Sequence, residues 1–206
     1  MVLPSEVVLS DRTWWLDCAP GGGPQPGRVW AVLLIPEGGR LTLDGREVGA
    51  VVVPPGDAPI RADWTGVRRV RELRLRPFGA FDGPVPLGEL PSVEPPDGLA
   101  GAAPGLLVGA QGRIAVGTLA RRLGCSERHL RTVMRARIGL GPSRTARLLR
   151  VEAAVDAIRG TDAPLAAIAQ EAGFADQSHI TRALRRHAGA TPGAFRSVQD
   201  PMPERA

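Results

Sequence analysis

Apolar residues in the C-terminal half of the chain fall at the spacing of amphipathic helices. Those in the N-terminal half form short runs between Gly/Pro clusters. Within residues 163–196, Leu165, Ile168, Ala169 and Ala172 share one helical face, and Gly173 ends the run. Asp176 offers a side-chain oxygen to cap a second helix. That helix is expected to bury Ile180, Ala183 and Leu184 and to turn Ser178, Arg182 and Arg185 outward. Gly189 and Thr191-Pro192 are expected to stop it.

The pattern occurs twice. Ala120 and Gly124 stand 49 residues before Ala169 and Gly173; Leu130, Gly139 and Pro142 stand 50 before Ile180, Gly189 and Pro192. One residue is therefore inserted in the second turn. Glycine, apolar, glycine and proline recurring in order mark a tandem repeat. In the first copy, 116–123 is the supporting helix and Ser126 the N-cap of its partner. Leu130, Val133, Met134 and Ile138 form the buried stripe, while Arg128, Arg131 and Arg135, with Thr132 beside them, occupy the opposite face. Two short helices around a glycine turn, the second cationic on its free face, are the parts of a helix-turn-helix that reads DNA. Between the copies, residues 143–159 meet no helix breaker before Gly160, and Leu148, Leu149, Ala153, Val155 and Ile158 can face inward. At about 1.5 Å per residue this is a rod of roughly 25 Å. That size suits two recognition helices set about one DNA turn, near 34 Å, apart.

The N-terminal half has a strand pattern. Residues 29–35 form an apolar run, 40–44 alternate into Asp44-Gly45, and 47–53 return from that hairpin turn to Pro54-Pro55-Gly56. Residues 67–76 read as a further strand through Val70, Leu73 and Leu75, and 19–27 as a flexible loop. The expected fold class is α+β. A small β-sandwich or barrel-like domain (1–92) precedes a linker (93–103) and an all-α domain (104–197) with two helix-turn-helix units joined by a long helix; 198–206 form a tail. Residues 105–111 offer a short apolar helix ahead of the first copy.

Charge sharpens the division. Residues 1–100 hold 10 Arg and 13 Asp+Glu, net −3, whereas residues 101–206 hold 16 Arg and 8 Asp+Glu, net +8. The half with the repeat is the half suited to a polyanion. The N-terminus shows no basic segment followed by an apolar stretch, so no secretory signal is expected, and no run is long enough to span a bilayer. Two cysteines, Cys18 and Cys125, are too few for a disulfide framework, and both read as packing residues. The three histidines all lie in the C-terminal half, which argues against a histidine-ligated metal centre in the β half. Trp14, Trp15, Trp30 and Trp64 read as core or interface residues, with the lining of a pocket as the alternative. No Ser/His/Asp grouping, phosphate-binding glycine loop or paired carboxylate stands out, and no catalytic residue, metal or cofactor is expected. The expected location is the cytoplasm, on the nucleoid.

LARRLGCSERHLRTVMRARIGLGP, LLRVEAAVDAIR and LAAIAQEAGFADQSHITRALRRHAGATPGAFR together resemble the DNA-binding domain of the AraC/XylS family of bacterial transcription regulators. The likeness covers residues 105–197; RELRLRPFGAFDGPVPLGEL adds a weaker likeness to the β domain that precedes this module in some members. The resemblance implies base contacts from Arg128, Arg131 and Thr132 on the first recognition helix. On the second it implies Gln177, Ser178, His179, Thr181 and Arg182. Ser126, Arg135 and Arg185 complete the candidate interface. It implies double-stranded DNA as partner, with RNA polymerase and a small-molecule effector in the N-terminal domain as further candidates, no membrane, and a monomer or homodimer. Arg128 and Arg131 suit guanine O6 and N7, and Gln177 suits adenine. Arg135, Arg185 and Arg186 lie further along their helices and suit phosphates. His179 is open between a DNA contact and a capping role; His187 reads as structural. One rival is an alkyltransferase of the Ada type, which shares such a module, but its chemistry needs a cysteine cluster this chain lacks. The other is a protein-interaction or small-ligand-binding module dominated by the β domain.

Overall fold

The computed structural model describes residues 8–15, 21–25, 31–75, 83–90 and 98–197. Strands β1 (Val8–Trp15), β8 (Arg69–Leu75), β3 (Ala31–Glu37), β6 (Val51–Val53) and β9 (Val85–Pro86) form one sheet in that order. Strands β2 (Gly21–Gln25), β7 (Ile60–Thr65), β4 (Arg40–Leu43) and β5 (Arg46–Val48) form the other, and all the pairings are antiparallel. Side chains alternate across a strand, and β3 and β6 use both faces. Ala31, Leu33 and Val52 pack with Leu73 and Leu75, while Val51 and Val53 pack with Leu41, Leu43 and Ala62 of the second sheet. Burial on both faces explains why this segment reads as an unbroken apolar run.

The Asp44-Gly45 hairpin turn forms as expected, with φ of 49° and 79°, both in the left-handed region that a two-residue turn demands. Residues 47–53 are not one returning strand. Bends at Gly49 and Ala50 divide them between β5 in one sheet and β6 in the other. Residues 21–25 are also strand rather than loop, as β2 pairs with β7. β2 lies at the sheet edge, where Pro24 is tolerated because one side of the strand needs no donors. β1 and β7 carry no signal singled out from the pattern. Residues 29 and 30 of the expected apolar strand, and Cys18, lie outside the described residues.

Seven helices follow among the described residues: α1 (Gly98–Gly109), α2 (Val116–Arg122), α3 (Glu127–Ile138), α4 (Pro142–Gly160), α5 (Leu165–Glu171), α6 (Gln177–Ala188) and α7 (Pro192–Ser197). α1 begins well before residue 105, so the second half of the expected linker is helical. Pro192 both follows the end of α6 and opens α7, as Pro142 opens α4; proline's fixed φ suits a first helical turn. The helices make two cores. Ala103, Leu107, Leu119, Leu130, Met134 and Ile138 pack with Ala146, Leu148 and Leu149 of α4. Val151, Ala154, Val155 and Ile158 of the same helix pack with Ile168, Ala169, Ile180, Leu184 and Phe195. α4 thus belongs to both units, and its 19 residues span about 28 Å. No described helix is long and apolar enough to cross a membrane.

The β half touches the helices through the turn between β6 and β7. The Asp57 carbonyl accepts a hydrogen bond from His187 Nδ1 at 2.7 Å, and its carboxylate lies 3.1 Å from Arg144 Nε. A carbonyl cannot donate, so Nδ1 carries the proton. His187 is 4% exposed, near the end of α6. Its expected structural role holds, and its partner lies in the other half of the chain. His187→Ala should speed amide exchange at residues 56–60 by about tenfold, the loss of roughly one hydrogen bond, and leave the β3–β8 ladder unchanged. Unaltered exchange at 56–60 would mean that docking does not depend on this bond.

Candidate nucleic-acid interface

The two copies close their turns with matching bonds. Cys125 N–H donates to Ala120 O at 3.0 Å, and Phe174 N–H donates to Ala169 O at 2.8 Å. Each bond spans a glycine with a left-handed backbone, Gly124 at φ 66° and Gly173 at φ 76°, where a residue with a Cβ would be strained. Ser126 Oγ then accepts from His129 N–H at 3.1 Å, and Asp176 Oδ1 accepts from His179 N–H at 2.6 Å. The turn bonds match at an offset of 49 and the caps at 50. The extra residue is therefore Ala175, placed after one helix has closed and before the next is capped. It changes the register of neither helix.

The buried faces form largely as the pattern demands. Leu130, Met134 and Ile138 are buried on α3, with Val133 only half-buried; Ile180, Ala183 and Leu184 are buried on α6. On the opposite faces, Ser126, Arg128, Arg131, Thr132, Arg135, Gln177, Ser178, His179, Arg182 and Arg185 are exposed, and Thr181 is half-exposed. The fold brings these residues onto two surfaces, one per copy, and no described residue of the β half covers either. Arg131 and Arg135 run beside Gly141, where a Cβ would meet Arg131 Cγ at 3.6 Å and Arg135 Nε at 3.5 Å.

Electrostatics separate these surfaces from the rest. Among the described residues, none of Arg128, Arg131, Arg135, Arg182, Arg185 or Arg186 has an acidic partner. In the β half, Arg40, Arg61, Arg69 and Arg74 pair with Glu47, Asp63, Glu37 and Glu72. The recognition faces therefore carry unneutralised cations, and Arg46 and Arg68 are two more in the β half. Arg121, Arg122 and Arg137 are further exposed cations of the first unit that the stripe of 128, 131 and 135 does not include.

Three side chains are held by local bonds. Thr132 Oγ1 donates to Arg128 O at 3.1 Å, and Thr181 Oγ1 donates to Gln177 O at 2.7 Å. Both hydroxyls are thus committed to the helix backbone. His179 Nδ1 accepts from Ala175 N–H at 3.4 Å, and the ring meets Phe174 edge-on, 5.3 Å between centroids. With Nδ1 accepting, the neutral ring carries its proton on Nε2. His179 therefore combines a capping-box position with an exposed donor.

These parts define a tandem helix-turn-helix DNA-binding module. Residues 119–197 match the family model described as a helix-turn-helix domain. No curated protein matches the chain. Among solved structures, ToxT from Vibrio cholerae superposes with a TM-score of 0.61 at 10% identity, over 90% of this chain and 97% of that one. A second ToxT structure from the same organism, bound to an unsaturated fatty acid, gives 0.61 at 11% identity over 95% and 96%. A transcriptional regulator from Chromobacterium violaceum with an AraC-type DNA-binding domain gives 0.46 at 23% identity over 48% and 89%. The C-terminal module thus carries a helix-turn-helix domain over residues 119–197, and the fold of the whole is that of the ToxT structures.

Ser126→Ala and Asp176→Ala should each lower stability by about 1 kcal/mol through loss of a helix cap. The check is the denaturation midpoint of each variant in urea; midpoints equal to the wild type would mean the cap bonds are not held in solution.

Proposed function

We propose that the protein binds DNA sequence-specifically and sets α3 and α6 into successive major grooves on one side of the duplex. The observation that carries this reading is the pair of capped helices with exposed, unneutralised arginine faces, both rooted in α4. The 28 Å estimate for α4 approaches one turn of B-DNA, about 34 Å.

On this reading Arg128 and Arg131 pair with guanine, Gln177 with adenine, and Ser178 and Arg182 with neighbouring base edges. Thr132 and Thr181, their hydroxyls used internally, contribute methyl groups suited to thymine. His179 donates through Nε2 to a phosphate or base. Ser126, Arg135, Arg185 and Arg186 meet the backbone, which positions without specifying. Residues 1–92 act as a regulatory domain, and the DNA-binding domain starts at α1. The contacts of Asp57 with Arg144 and His187 support that division of labour, because they give the β domain a hold on α4 and α6.

Arg131→Ala and Arg182→Ala should each weaken binding to a selected cognate site by about 10- to 100-fold, the cost of one bidentate pair, with little change on random DNA. Equal losses on both DNAs would move that residue to the backbone class. Neutralising at least three phosphates should lower affinity by about fortyfold between roughly 50 and 200 mM salt, from a slope near −0.9 per phosphate. Affinity independent of salt across that range would contradict the proposed interface.

A further inference from the structure

Two arginines outside the recognition faces converge on the second turn. Arg150, midway along α4, donates from Nη1 to Gly173 O at 3.0 Å, and its guanidinium lies 5.6 Å from the centre of the Phe174 ring. Arg113, in the connection between α1 and α2, donates from Nη1 to Glu171 O at 3.5 Å and from Nη2 to Gln111 Oε1 at 2.7 Å. Both cations thus meet carbonyls at the C-terminal end of α5, where the helix dipole is negative. The Arg113 connection is itself seated on α4. Gly112 lies so close that a Cβ there would stand 2.1 Å from Ala146 O.

The arrangement is not a property of the repeat. A Cβ at Gly173 would meet Arg113 Cγ and Arg150 Cδ at 3.3 Å, whereas one at the matching Gly124 would meet nothing within 4 Å. Only the second turn is gripped, and both gripping residues come from outside the second unit's own helices α5 and α6. Arg150 Nε is buried without a hydrogen-bond partner among the described residues. Burial, with Arg147 beside it, holds the Arg150 guanidinium below its usual range. A solvated surface cation would bear neither cost.

We propose that Arg150 and Arg113 are positioning residues that fix the angle between α3 and α6 by clamping the α5–α6 turn onto the first unit, and so set the spacing between the two DNA segments the protein accepts. This rests on the two-groove reading above. Shared packing along α4 resists bending of the rod; the clamp resists rotation of the second unit about it. Inserting one base pair shifts a half-site by about 3.4 Å along the duplex and also rotates it. A rigid pair of recognition helices rejects that change, and a loose pair tolerates it.

The test uses the full chain. Residual dipolar couplings of α3 and α6 amides, measured without DNA, report the angle between the helices. The wild type should fit one alignment tensor; Arg150→Met and Arg113→Ala should shift the fitted angle or require two tensors. Arg150→Lys, which keeps the charge, should lie nearer the wild type. Arg113 is exposed, so its loss empties no core and leaves the measurement interpretable if Arg150→Met folds poorly. On DNA selected from a randomised library, one inserted base pair between the half-sites should cost the wild type about tenfold or more. The two charge-removing variants should lose threefold or less, with affinity for a single half-site unchanged. Wild-type couplings in both variants overturn the proposal, as does undiminished discrimination against the insertion. A wild-type protein that selects only one short DNA segment refutes the two-groove reading instead, and the couplings still decide the clamp.

Discussion

α4 is a single helix shared by two hydrophobic cores. Leu148, Leu149 and Ala146 close the first, and Val151, Ala154, Val155 and Ile158 close the second. Each fully buried aliphatic side chain contributes on the order of 1.5–3 kcal/mol. Neither unit can therefore separate from the helix without exposing several such side chains. Each recognition helix needs α4 as a wall of its own core, which ties each to the other. If both helices engage DNA as proposed, the shared core removes most of the entropic cost that a flexible tether would leave to the second contact.

Charge is partitioned to match. In the β half, four of the arginines are matched by carboxylates, Arg61 and Arg74 within their own strands and Arg40 and Arg69 across paired strands. Exposed pairs of this kind add little stability, about 0–1 kcal/mol each. The net positive charge lies in the helical half, +8 over residues 101–206 against −3 over residues 1–100. The β half attaches through Asp57, and Arg144 and His187 belong to helices of the DNA-binding module. A change in the β6–β7 turn thus reaches the second recognition helix through one residue.

The helical half was legible because each of its signals is local. Caps, turn glycines and the spacing of apolar residues act within a few positions, and the repeat lets one copy check the other. α7 escaped because Pro192 serves as a stop signal and a start signal at once. The β half was less legible because pairing is non-local. Nothing within 47–53 announces that Gly49 and Ala50 carry the chain from one sheet to the other. Nothing in a run of three glycines marks an edge strand, since β2 forms through backbone bonds to β7. Helical faces alone gave Arg128, Arg131, Thr132, Arg135, Ser178, Arg182 and Arg185, whereas Gln177, His179 and Thr181 came from the family resemblance. Arg150 and Arg113 came from neither, because a charge between buried Leu149 and Val151 reads as a solvated break until the turn it contacts, 23 residues on, is in place.

Aligning the caps sets Arg131 against Thr181 and Thr132 against Arg182. The two recognition helices present the same pair of side chains in opposite order, about 100° apart around the helix axis. A dimer with two-fold symmetry matches a palindrome and binds it equally well either way round. On the two-groove reading proposed above, two unlike helices in tandem call for a target with a left end and a right end, and the orientation of that target would set the side on which the β half lies.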